Sequence, residues 1–430
     1  MNLTSIQHFL LAAEIAVGMA FAVPLSGQVP TVAKQRTASD AVVPFKVHVA
    51  DSVLADLRSR LAKTRFPDEI PGAGWDYGAN LNYIKELVTY WRDKYDWRAQ
   101  ERRLNQFDQF TTNIDGLNIH FIHQRSKVAG AKPLLLLNGW PSSMEEYSKV
   151  IAPLTDPVGN GGRSEDAFDV VVPDMPGYGF SDKPRDRGYS PDRIAGMWAT
   201  LMARLGYKRY AVSGTDWGIS VATSLALKDS AHMMALHLNG CPGGPIASPQ
   251  NAPARAVGMG ADASGYIEIQ STKPETLAYG LSDSPAGLAA WIVEKFYNWS
   301  DDNGDLESIY TKDQLLTNVM IYWVNNSGPS STRLYYEARH RDGRLRNSFF
   351  EGFLPDLTAG KVTVPTGCGN FSRRQDGVGG SANPNARASA EIRYNVVHWT
   401  DNPRGGHFAA MEQPSLWVDD IRGFLRMQHE

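Results

Sequence analysis

Tyr210-Ala211-Val212-Ser213-Gly214-Thr215-Asp216-Trp217-Gly218 is the stretch on which the fold turns. Tyr210–Ser213 is short and apolar in character, as a strand buried on both faces is. An apolar helical pattern follows over 219–228. Between them, Gly214 and Gly218 bracket Thr215-Asp216-Trp217 at the spacing of a nucleophile elbow, a sharp strand-to-helix turn with glycines where side chains would clash. The usual serine is replaced by Asp216. A carboxylate needs no base to deprotonate it, and it attacks a saturated carbon by displacement, leaving an alkyl ester. Water must then attack the carbonyl of that same aspartate. Taken alone, Gly-x-Asp-x-Gly is equally the composition of a surface turn; the strand before it and the helix after it favour the elbow.

Working outward, Leu117–His123 alternates and Leu134–Leu137 is a continuous apolar run, while Phe168–Val172, Ala235–Leu238, Val362–Val364 and Asn395–Trp399 share the same short apolar look. Helical spans such as 189–205 and 219–228 separate several of them. This alternation predicts an α/β fold, a mostly parallel sheet with helices on both faces. Between 246 and 345 it stops, and Leu288, Ala289, Ile292, Val293 and Phe296 form one helical face. A helical insertion there is expected to be a lid over the strand ends, where open parallel sheets bind ligands. The core is therefore expected in two parts, 116–245 and 346–430. Upstream, 44–115 reads as a helical section. Asp51 is placed to cap a helix carrying Val53, Leu54, Leu57 and Leu61 on one face, and a second helix carries Ile84, Leu87, Val88, Trp91 and Tyr95.

His407 lies in Arg404-Gly405-Gly406-His407-Phe408, beyond the last strand and before a final amphipathic helix. In elbow-bearing folds the histidine comes last in chain order, and it would activate the hydrolytic water as general base. His48, His120, His232 and His340 read as ordinary polar residues. Asn138-Gly139-Trp140-Pro141 closes the strand Leu134–Leu137, and the main-chain N–H groups of Trp140 and Trp217 are the candidate oxyanion donors. A plain strand-ending turn would look much the same. Asp174-Met175-Pro176-Gly177-Tyr178-Gly179-Phe180-Ser181 reads as a structural segment framing the pocket wall.

Of the 430 residues 42% are hydrophobic and 21% charged, and the formal net charge of -3 gives no reason to expect nucleic acid or an acidic membrane surface as partner. Cys241 and Cys368 have no CxxC or zinc-ligand spacing, which excludes a disulfide scaffold; two buried free thiols are expected over a single bridge. Residues 9–23 are apolar apart from Glu14, and Ala20-Phe21-Ala22 offers a small-residue cleavage pattern. Residues 1–22 are therefore expected to be a signal peptide and 23–43 a linker, giving an exported protein; an uncleaved anchor or a mispredicted start, with a membrane-associated or cytoplasmic protein, is the alternative.

With these residues in view, the chain from about Phe45 to its end resembles the microsomal-type epoxide hydrolases and their bacterial and fungal relatives. Val49–Phe110, with Arg65-Phe66-Pro67, resembles that family's N-terminal domain. The resemblance implies the α/β-hydrolase fold, with a helical lid and a helical N-terminal extension. It implies a small apolar epoxide and water as reactants, with no cofactor or metal. The family opens the epoxide with two lid tyrosines. Gly265-Tyr266-Ile267-Glu268-Ile269-Gln270 is similar to the first tyrosine motif and Arg333-Leu334-Tyr335-Tyr336-Glu337 to the second, which puts those roles on Tyr266 and Tyr335, with Tyr336 as the neighbouring register.

Three departures stand out. Asn138 replaces the family's usual histidine, and Ile219 a smaller residue. More seriously, where relatives place the charge-relay carboxylate three residues past a phenylalanine, Phe371 is followed by Ser372, Arg373 and Arg374. Asp376 is the nearest carboxylate and the candidate for orienting His407; Glu391 and Asp401 are further options. A haloalkane dehalogenase would share Asp216 and His407 but need halide-binding N–H donors in place of the tyrosines. The missing relay carboxylate alone supports a degenerate, ligand-binding member. Oligomeric state is left open.

Overall fold

The computed structural model describes residues 40–243, 263–347, 349–371 and 385–429. The expected signal segment, most of the linker, Arg374 and Asp376 lie outside the described residues. Nine strands form one sheet in the order β1-β2-β3-β5-β4-β6-β7-β8-β9. They are β1 Val43–Phe45, β2 Gln109–Ile114, β3 Leu117–Gln124, β4 Lys132–Leu137, β5 Phe168–Pro173, β6 Tyr210–Gly214, β7 Met233–Asn239, β8 Val362–Asn370 and β9 Tyr394–Asp401. From β5 to β9 all pairings are parallel, and β1, β2 and β3 add an antiparallel edge joined to β5.

The antiparallel edge corrects the helical reading of 44–115, because β1 and β2 lie inside that span. Gln109-Phe110-Thr111-Thr112-Asn113-Ile114 is too polar to announce a buried strand, yet Gln109, Thr111 and Thr112 are all buried. Gln109 satisfies itself between the Leu104 carbonyl and His120 Nε2, and this is how a polar side chain is buried without penalty. The rest of the section is helical as expected: α1 Asp51–Ala62, α2 Leu81–Asp93 and α3 Trp97–Leu104. Asp51 is not the cap of α1. It is the helix's first residue, where its charge suits the helix dipole, and it binds Arg98.

On the sheet's faces lie α4 Ile151–Thr155, α5 Pro191–Arg204 and α6 Trp217–Lys228, with α13 Ala386–Arg393 between β8 and β9, then α14 Ala409–Glu412 and α15 Pro414–Arg426. Between β7 and β8 come α7 Gly265–Thr272, α8 Pro274–Asp283, α9 Pro285–Trp299, α10 Lys312–Val324, α11 Ser327–Arg339 and α12 Phe349–Phe353. These helices are fastened onto the loops at the strand ends. Asn318 of α10 donates to the Pro141 carbonyl at 2.8 Å and accepts from Ser143 Oγ at 2.7 Å. Tyr322 Oη donates to the Ser142 carbonyl at 2.5 Å, and Ser330 of α11 to the Gly177 carbonyl at 2.6 Å. Inside the Asp174–Ser181 segment, Asp174 Oδ2 accepts from the Phe180 N–H at 2.7 Å and lies 2.8 Å from His120 Nδ1.

Two further readings change. Cys241 and Cys368 form a disulfide, with Cα atoms 5.5 Å apart at a sequence separation of 127. Cys368 lies on β8, which pairs with β7, and Cys241 lies just past the end of β7; the intervening lid hides that closeness in the sequence. Strand β8 also runs on past the Val362–Val364 stretch to Asn370, absorbing Pro365 in a register shift against β9. Among the described residues no helix is long and apolar enough to cross a membrane.

Candidate active site

Asp216 stands between β6 and α6 with φ 51° and ψ -124°, a conformation L residues rarely adopt and one that costs on the order of 1–3 kcal/mol. The turn is this tight because α6 starts against the end of β4: a Cβ on Gly218 would lie 1.9 Å from the Leu137 carbonyl oxygen. The Trp140 N–H donates to Asp216 Oδ1 at 2.9 Å. The approach needs Gly139, whose added Cβ would fall 2.0 Å from that oxygen. Trp217 is the first residue of α6, so its N–H has no acceptor within the helix. Its indole meets the Tyr335 ring at 4.8 Å, edge-on. Asn138 is buried and donates to the Gly139 carbonyl and Ser142 Oγ, bracing the turn from below. Ile219 is buried in the apolar core.

His407 approaches from the other side, Nε2 lying 3.5 Å from Asp216 Oδ2. Its N–H donates to the Trp299 carbonyl at 2.8 Å, and its ring packs 4.9 Å from the Trp299 ring. Burial alone would depress the imidazole's pKa. The hydrogen bond and charge of Asp216, with the charges of Glu146 and Glu412, outweigh it and hold the pKa above its ordinary value.

Tyr266 on α7 and Tyr335 on α11 are buried, with ring centroids 5.9 Å apart and ring planes at 77°. Burial, with the Asp216 charge among its supports, raises both phenols well above their usual range, so both are neutral donors. Tyr335 faces Trp140 and Trp217, while Tyr336 stacks on His340 at 3.8 Å.

The relay carboxylate is not brought in among the described residues. Glu391 pairs with Arg387 on an exposed helix face, and Asp401 accepts from Asn370 and Trp399. Two carboxylates that sequence reading passed over face His407 instead. Glu146 is buried beside the Trp140 turn and hydrogen-bonds with Ser142. Glu412 accepts three main-chain N–H groups, from Gly406 at 2.8 Å, Phe408 at 2.9 Å and Asp301 at 2.9 Å. Burial pushes each carboxyl up to about 7, against the pull of those hydrogen bonds and of His407. The one signal available was a charge set in an apolar run, as in Phe408-Ala409-Ala410-Met411-Glu412.

An elbow aspartate facing a late histidine, under a helical lid on a mostly parallel sheet, defines a hydrolase of the α/β fold. The profile described as "alpha/beta hydrolase fold" matches residues 132–282, and that described as "Epoxide hydrolase N terminus" matches residues 42–147. A protein of Stigmatella aurantiaca carrying the epoxide hydrolase name is 41% identical, over 90% of this chain and 85% of that protein. Epoxide hydrolase 1 of Sus scrofa is 34% identical, over 90% and 89% of the two chains. The crystal structure of juvenile hormone epoxide hydrolase from the silkworm Bombyx mori superposes with a TM-score of 0.77 at 32% identity, covering 91% of this chain and 95% of that one. The chain belongs to the epoxide hydrolase family.

Proposed function

We propose that the protein hydrolyses an apolar epoxide to a vicinal diol through an ester on Asp216. The convergence of the Trp140 N–H and His407 on the two oxygens of one strained aspartate carries this reading. Asp216 forms a C–O bond to an oxirane carbon as the ring C–O bond breaks, and Tyr266 and Tyr335 hydrogen-bond the departing oxygen and supply its proton. Water then adds to the Asp216 carbonyl carbon while His407 takes a proton from it. The N–H groups of Trp140 and Trp217 hold the resulting oxyanion; collapse releases the diol, whose departing oxygen takes the remaining proton of the added water, and restores the carboxylate, while the proton held by His407 returns to the tyrosine pair. Asp376 is proposed to orient His407. The aromatic surroundings Trp140, Trp217, Trp299 and Phe353 suit an apolar substrate.

The test is incubation with a styrene-type oxide, following adduct on Asp216 by mass spectrometry and diol in solution. Diol with wild type, none with Asp216→Asn, and accumulated adduct with His407→Gln are expected. Neither adduct nor diol across a broad epoxide panel would overturn the assignment. Asp376→Asn at unchanged turnover would move the relay role elsewhere.

Export is proposed on the apolar run at residues 9–23, and the Cys241–Cys368 disulfide suits an oxidising compartment. A mature amino terminus near residue 23 by mass is the expected result.

A further inference from the structure

Lys295 has no part in the steps above, yet it is buried on α9, the lid helix that ends at Trp299, with only 7% of its surface exposed. Lysine is rarely buried without a charge partner or a task. Its Nζ pairs with Glu294, and the same ammonium lies 4.6 Å from the centroid of the Tyr266 ring. The Trp291 and Trp299 rings are 5.8 and 5.9 Å away. All three distances fall within the roughly 6 Å range over which a cation is drawn to an aromatic face. The most closely approached ring belongs to a tyrosine that faces Asp216.

We propose that Lys295 is a positioning residue for Tyr266, holding a positive charge over its ring so that the phenol becomes a stronger proton donor as the epoxide opens. The inference rests on the epoxide-opening role given to Tyr266 above. Its physical basis is differential. A neutral phenol ring attracts the ammonium through its quadrupole alone, whereas a ring giving up its proton gains negative charge and attracts it more strongly. Stabilisation that grows toward the transition state lowers the barrier; stabilisation common to both states does not. In a site cleared of water this Coulombic gain is screened little.

The other groups facing Tyr266 leave this task undone. Among these, burial, Asp216 and Glu294 raise the phenol's pKa, and the neighbouring Tyr335 lowers it. Trp140, stacked at 5.2 Å, and Trp299, at 5.3 Å, are uncharged. Glu294 partly offsets its own partner; what favours the cation is the placement of Nζ over the ring. In the balanced step, the Tyr266 proton passes to the epoxide oxygen as the Asp216–carbon bond forms. Lys295 itself gains and loses nothing.

Lys295→Met and Lys295→Arg are compared with wild type in single-turnover experiments. These resolve ester formation on Asp216 from its hydrolysis, using styrene oxides with ring substituents of graded electron demand. Lys295→Met should slow ester formation about tenfold, leave hydrolysis of the formed ester within about twofold, and make ester formation more sensitive to the basicity of the departing oxygen. Lys295→Arg, which keeps the charge, should recover most of the rate. Equal slowing of both half-reactions, no recovery by Lys295→Arg, or unchanged ester formation in Lys295→Met would each overturn the inference while leaving the epoxide hydrolase reading intact. Absence of both adduct and diol with wild type would sink the two together.

Discussion

Asp216 and His407 face each other across 3.5 Å, and they are held there by opposite means. Asp216 is fixed by its own backbone, a positive φ locked between β6 and α6 with the end of β4 pressed against Gly218. Everything that places it belongs to the core. His407 sits in a loop hung from its neighbours. Its N–H goes to Trp299, Gly405 donates to Asp301 at 3.0 Å, and Glu412 gathers Gly406, Phe408 and Asp301 onto one carboxylate. Trp299 and Asp301 lie at the end of lid helix α9 and just beyond it. The proposed nucleophile is thus a property of the sheet, and the proposed base is a property of the joint between sheet and lid. Damage to the first should abolish both half-reactions, and damage to the second should separate them.

The largest effect is expected from Gly218→Ala. The new Cβ would meet a backbone oxygen at 1.9 Å with no flexible side chain to give way, so α6 must pull back from β4. Loss of about 4 kcal/mol or more is expected, seen as a lowered urea midpoint, with no adduct from whatever fraction folds. A near-wild-type midpoint with normal adduct formation would break the claim that the elbow is held by the core.

Glu412→Ala comes next and acts on the other side. Three buried N–H groups would lose a charged acceptor, at a cost of about 2–4 kcal/mol. The loop would loosen from the lid. Ester formation should stay within about threefold while ester hydrolysis falls about a hundredfold, so adduct accumulates. Equal slowing of both steps would show the two regions to be coupled. Gly406→Ala probes the same joint more gently, since its Cβ would lie 2.4 Å from the Trp299 carbonyl and must push lid from loop.

This contrast also explains what could be read from the amino-acid sequence. Asp216 was legible because its determinants fall within Tyr210–Gly218, a strand, a turn and a helix start in one unbroken stretch. His407 was legible by rank and flanking glycines, but its supports were not. Asp301 is 111 residues from Glu412, and nothing local to either marks the partnership. The same limit hid the disulfide, and it hid β2, whose buried polar side chains find partners far along the chain, Gln109 at His120 and Thr112 at Arg204. Tyr266 and Tyr335 were legible only through family resemblance; as lid residues they acquire meaning from packing over Trp140 and Trp217. A relay partner for His407 was expected past Phe371, and the carboxylates that face it lie after β4 and in α14.

A smaller effect tests how tightly the two halves communicate. The Asp216 charge is a main support of the raised His407 pKa, so removing it by Asp216→Asn should lower the imidazole pKa, with burial then dominant. Histidine NMR titration would read the downward shift. Ester formation discharges Asp216 in the same way. With Asp216 esterified, His407 should therefore titrate at lower pH than in the free enzyme, leaving it a free base when it is needed. An imidazole that titrates identically in Asp216→Asn would mean the base is tuned from its own loop alone.

The smallest effect belongs to Glu146, a buried carboxyl on the core side of the pair that is neither nucleophile nor clamp. Burial pushes it up to about 7 from an ordinary 4.5, and Ser142 is its hydrogen-bond partner. In this pH range the folded protein keeps a proton that the unfolded chain releases, so this group lowers stability as pH rises through that interval. Glutamine has the same shape, can still hydrogen-bond with Ser142, and does not ionise. Glu146→Gln should therefore match wild type near pH 5 and be more stable by about 1–2 kcal/mol near pH 8, measured by urea unfolding at both values. Glu412, raised in the same sense, keeps part of the slope in the variant. A stability difference that does not change between the two pH values would mean that Glu146 carries no proton in the folded state and is already an anion beside Asp216. The core side would then hold its charges as firmly as it holds its backbone.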